Sequence, residues 1–143
     1  MPVNPLKPPK PPPLTPADLK KMARVRLKDA QVLLSAQRYD GAAYLCGYAV
    51  ELALKARICK SLHWTHYRLD GAYGPFFKSH DLDRLLDVSG FSLKMKSKYL
   101  AEWSTVDFWK PEDMRYQPAS KFQITPQVAI DMINGAKKLV NVL

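Results

Sequence analysis

Glu51 and Lys55 stand four residues apart in "AAYLCGYAVELALKARICKSL" (residues 42–62), a stretch whose first nine positions offer almost no polar face. A carboxylate inside an apolar helix must find a partner, because an unpaired buried charge is costly. Three partners are open to it. Lys55 follows at i+4, with the glutamate on the favoured N-terminal side. Arg115 in "MRYQP" could close a bidentate pair and tie its loop to the helix. The third is a ligand, or a second subunit across a cleft. Arg115 has the planar fork that suits phosphate or carboxylate, and Tyr116 beside it offers a ring with a polar tip. His80 in "KSHDLDRLL" is of the type that moves protons near neutral pH, although His80 and Asp81 also read as the start of a helix.

Other constellations are thinner. Cys59, His63 and His66 include two residues on one helical face, but no fourth zinc ligand accompanies them, so no metal and no cofactor is expected. Cys46 and Cys59 lie thirteen residues apart in one helical pattern, about 20 Å along an axis, which rules out a bond between them in a straight helix. Both read as buried thiols of a reducing compartment. Arg57 and His63 are six positions apart, which puts their side chains about 120° from superposed on a helix.

The elements that must position these residues are helical. Thr15, Pro16 and Asp18 form a helix start, and Leu19, Ala23, Leu27, Ala30 and Leu34 follow at spacings of four and three, predicting a helix over about 16–37. "QRYDGA" breaks it, with Asp40 as the expected cap of a central, almost wholly apolar helix over about 41–62. Residues 63–79, with five aromatics, read as an ordered loop held by its rings. Ser79 is the expected cap of a short helix through "HDLDRLLDV". A helix through "SLKMKSKYLAEWSTV" should bury Leu93, Tyr99, Leu100 and Trp103, and residues 107–124 read as irregular. The last helix begins at Thr125-Pro126 and carries Val128, Met132, Ala136, Leu139 and Val140 as its stripe. No stretch alternates as a half-buried strand does. The fold class is all-α, an up-and-down bundle of four or five helices.

The chain has 143 residues, enough for one domain. Residues 1–14 form a Pro-rich tail, with seven of the twelve prolines in "MPVNPLKPPKPPP", and 15–143 form the domain. The tail reads as a stiff spacer or as a docking peptide, which would make the protein a scaffold. Charged residues break the longest apolar run before it could span a membrane, and the N-terminus lacks the apolar core of a secretory signal. A cytoplasmic protein with no membrane partner is expected. The net charge of +9 makes a polyanionic partner plausible, with basic clusters at Lys20, Lys21, Arg24, Arg26 and Lys28 and again at Lys94, Lys96 and Lys98. Solvated faces account for such clusters equally well.

Taken together, "RLKDAQVLLSAQRYDGAAYLCGYAVELALKARI", "KSHDLDRLL" and "MRYQP" resemble the HEPN domain, a small helical domain of prokaryotic toxin–antitoxin, defence and nucleotidyltransferase-associated proteins. The resemblance runs from about Leu19 to the C-terminus. It implies a homodimeric helical bundle with a cleft between subunits, where catalytic members cut RNA with an Arg-x(4–6)-His motif. It also implies that Glu51 faces the same cleft as Arg115 and Tyr116, with Lys55 nearby. Arg115 matches the motif arginine, yet no histidine follows it in the chain. The expectation is therefore a non-catalytic binding module for RNA or a nucleotide, or for a partner such as a nucleotidyltransferase-type antitoxin. The alternative is a metal-independent ribonuclease toxin in which Arg115 works with Glu51 or His80 as substitute acid or base.

Overall fold

The computed structural model describes Leu6, Pro8, Gly71 and residues 13–69, 74–116 and 124–143. Most of the Pro-rich tail lies outside them, so its expected extended form does too. The described residues form eight helices and no strand: α1 (Pro16–Ser35), α2 (Tyr39–Ser61), α3 (Gly74–Phe77), α4 (Leu82–Ser89), α5 (Ser92–Lys98), α6 (Leu100–Ser104), α7 (Pro111–Tyr116) and α8 (Pro126–Val142). The all-α class follows.

α1 starts as its sequence dictates. Thr15 and Asp18 exchange side-chain-to-backbone hydrogen bonds in a capping box, and Pro16 opens the first turn. The cap of α2 differs from expectation. Arg38 occupies that position without a side-chain bond, and Asp40 sits inside the first turn, where a carboxylate still complements the helix dipole. Its small residues Ala42, Ala43, Ala49, Ala53 and Ala56 are all buried. They allow α1, α4 and α8 to pack closely around α2, the centre of the bundle.

Three other expectations are corrected. The cap of α4 is Asp81, whose carboxylate accepts from the Arg84 amide, while Ser79 accepts from the Asp81 amide one step earlier. The helix expected across 92–106 breaks at Tyr99 into α5 and α6, with the backbone there at φ −122° and ψ 25°. Tyr99 and Trp103 are buried with Met95, but Leu93 is 84% exposed and Leu100 54%, because a single 3.6-residue stripe does not continue through the break. The stretch from 107 to 124 is not wholly irregular, since Pro111 opens α7 at a first-turn position that suits proline.

The aromatic loop is held as its composition suggests. Trp64 and Phe77 meet edge to face with centroids 4.9 Å apart, and the Tyr67 hydroxyl donates to the Phe77 carbonyl over 2.6 Å. The Tyr67 amide donates to the Leu14 carbonyl, so this loop also fixes the chain just ahead of α1.

Candidate functional site

Glu51 is 3% exposed, and both of its carboxylate oxygens are occupied. Lys55 Nζ lies 3.4 Å from Oε2, one helical turn on, and His80 Nδ1 lies 2.5 Å from Oε1. Lys55 also sits over the Tyr67 ring, 5.4 Å from its centroid. One carboxylate thus joins α2, the aromatic loop and the residue just before the α4 cap. With Nδ1–H donated to Glu51, a neutral His80 keeps Nε2 as an acceptor, the arrangement a carboxylate imposes on an imidazole.

A chain of rings extends this cluster. The His80 and Tyr48 rings meet edge on at 5.8 Å, and Tyr48 meets Trp109 at 4.8 Å. Trp109 Nε1–H donates to the Tyr44 carbonyl over 3.0 Å, and the Tyr44 and Tyr48 hydroxyls lie 3.4 Å apart. Gly47 makes this possible, because a Cβ there would overlap the indole of Trp109. Burial pushes the Tyr48 phenol above its usual range; its bond to Tyr44 and the Glu51 charge add to this, and the Arg115 charge opposes it. Tyr48 therefore stays protonated at neutral pH and can donate.

Arg115 is exposed at the C-terminal end of α7, its guanidinium 5.8 Å from the Tyr116 centroid, and Tyr116 is 82% exposed. Arg115 forms no ion pair among the described residues, so the bidentate pair with Glu51 is not made. Its charge nonetheless reaches Tyr48, whose ring abuts His80. The structure thus brings Glu51, Lys55 and His80 into contact and leaves Arg115 and Tyr116 outside that contact. Residues 117–123 lie outside the described residues.

His80 and Trp109 line a cleft of about 470 Å³ with Lys78, Arg84, Asp83 and Asp107. Lys78, Arg84 and Lys110 face four carboxylates there: Asp81, Asp83, Asp107 and Glu112. Desolvation and the nearby Asp83 raise the carboxyl of Asp107, an exposed residue, above its usual range. Its carboxylates outnumber its lysines and arginines.

The zinc-like trio is not assembled. Cys59 is buried, with its thiol pushed up by desolvation, and His63 is exposed beyond the end of α2 at φ 55°. No group of three or more potential ligands is arranged for a metal among the described residues. Arg57 lies on the Phe91 ring. Tyr44 and Tyr48 escaped the sequence reading, although they precede Glu51 and Lys55 at helical spacing on one face of α2. Trp109 gave no local signal, since it reaches Tyr44 from 65 residues away.

A small all-helical domain, with a buried carboxylate on its central helix and an exposed Arg-Tyr pair before its last helix, defines the class. Residues 17–143 match a family model described as the HEPN domain, and the protein belongs to that family. No curated protein and no solved structure matches the chain.

Proposed function

We propose that this HEPN protein is a non-catalytic binding module, a homodimer that holds RNA or a nucleotide, with Arg115 and Tyr116 as the contact pair. The observation that carries this reading is the contrast between two side chains. His80 is engaged by the buried Glu51 carboxylate, whereas Arg115 stands exposed beside an exposed ring with no acidic partner among the described residues. A guanidinium in that state is ready for phosphate, and the adjacent ring suits a base or ribose. A nucleotidyltransferase-type partner would reach the same exposed pair. The test is binding of a 20-nucleotide oligouridine followed by anisotropy at low salt. Arg115→Ala should weaken it about tenfold, and unchanged affinity would remove Arg115 from the binding surface.

A second reading is favoured by one observation. The 2.5 Å contact from His80 to Glu51 is the geometry that orients an imidazole as a general base. On that reading the protein is a ribonuclease in which His80 takes the 2′-hydroxyl proton and Arg115 steadies the phosphate. RNA cleavage abolished by His80→Ala would establish it.

A further inference from the structure

We infer that the corner formed by α5 and the neighbouring faces of α2 and α8 grips the phosphate backbone of a nucleic acid. Phe91 and Tyr99 stack there, with centroids 6.3 Å apart and planes 18° from parallel. Arg57 lies 4.8 Å and Lys94 Nζ 5.4 Å from the Phe91 centroid, while Lys98 and Lys138 lie 5.7 and 5.8 Å from that of Tyr99. Four cations from three helices thus rest on two rings. Among the described residues, the only one of the four with a carboxylate partner is Lys138, paired with Glu102 at 2.9 Å. The nearby Asp87 accepts a hydrogen bond from the Ser92 hydroxyl.

This arrangement is costly unless an anion relieves it. Lys94 and Lys98 are like charges one helical turn apart, a pair that weakens a helix, and Lys96 between them adds a third. No acid lies within Ser92–Lys98 to offset them. The Nε of Arg57 is buried without a hydrogen-bond partner, so the Phe91 ring, and not a carboxylate, holds the guanidinium. Cation–π contacts keep these side chains gathered without neutralising them. The rings themselves are 3% and 8% exposed, too buried to stack on bases. What remains for recognition is charge, which fits a sugar–phosphate backbone and not a base sequence. Arg57 is six residues beyond Glu51, about 120° away around α2, so it lies on a different face of that helix from Glu51.

The test compares the wild-type protein, Lys94→Gln/Lys98→Gln and Arg115→Ala for binding to a 20-nucleotide oligouridine between 50 and 200 mM salt. Both lysines are exposed, so the double variant leaves the core intact. It should lose about tenfold in affinity, and the slope of log affinity against log salt should flatten by about 1.4, or about 0.7 per lost phosphate contact on a single strand. Unchanged binding and slope in the double variant would overturn the proposal, whatever Arg115→Ala does. Loss confined to Arg115→Ala would leave the Arg115 reading standing and remove this one; the reverse pattern would do the opposite. Polyglutamate competing as well as RNA at equal charge would overturn it too, as would binding that persists at high salt, which would point to apolar docking through Leu93.

Discussion

The Nδ1 of His80 lies 2.5 Å from Oε1 of Glu51, joining the central helix to the residue that precedes the cap of α4. Because the carboxylate is buried and Lys55 holds its other oxygen, this contact is a structural tie whether or not the imidazole also does chemistry. Replacing Glu51 by Ala strands Lys55 and His80 together and should lower unfolding free energy by about 3 kcal/mol. His80→Ala, which leaves Lys55 in place, should cost about 1 to 2 kcal/mol. Urea unfolding of both variants and the double mutant should give a coupling of about 1 kcal/mol or more. Strictly additive losses would show that the contact contributes nothing.

Gly47 lets the Trp109 indole approach the backbone of α2. Gly47→Ala improves helix propensity by about 1 kcal/mol, but the indole must move and its bond to the Tyr44 carbonyl must break. The net expectation is a loss of about 1 to 3 kcal/mol with a shift in tryptophan fluorescence. A more stable variant with unchanged fluorescence would contradict the tight packing.

Asp107 provides a pH test. Its carboxyl is raised by desolvation first and then by Asp83, so the folded state holds its proton more tightly than the unfolded chain. The sign follows: the group favours folding while protonated, and that advantage is lost as pH rises from the ordinary carboxyl range through the folded value. Asp107→Asn should therefore melt higher than the wild type at pH 7, and the gap should close toward pH 3. A gap that is constant with pH would assign the effect to something other than ionisation.

The start of α1 depends on a reciprocal pair of short hydrogen bonds between Thr15 and Asp18. Thr15→Ala should cost about 1 kcal/mol in thermal or urea unfolding. No loss would mean that α1 is held by its packing on α2 alone.

Helix starts were legible where the chemistry is local. Thr15-Pro16 and Thr125-Pro126 both begin helices, each threonine accepting a bond from a first-turn amide. Ser79 and Asp81 are both plausible caps two residues apart, and only the backbone path selects Asp81. The break at Tyr99 was not legible, because Leu93, Tyr99, Leu100 and Trp103 satisfy one continuous period that the chain does not follow. Family membership was carried by ordered motifs spread over most of the chain, and the match to residues 17–143 bears it out. Glu51 stood out because it interrupts an apolar run. That His80 would reach it could not be read, since the two stand 29 positions apart in the chain.

No described helix is long and apolar enough to cross a membrane, and the exposed surface includes Arg115 and Tyr116. The central claim, binding without turnover, is tested most directly by incubating the purified full-length protein with total RNA in the presence of a chelator. Arg115→Ala and His80→Ala are run beside it. The account expects intact RNA in every lane, with retention on the protein reduced for Arg115→Ala. Cleavage by the wild type that disappears in either variant would contradict it, and loss in His80→Ala would make the Glu51–His80 pair the working end of a ribonuclease.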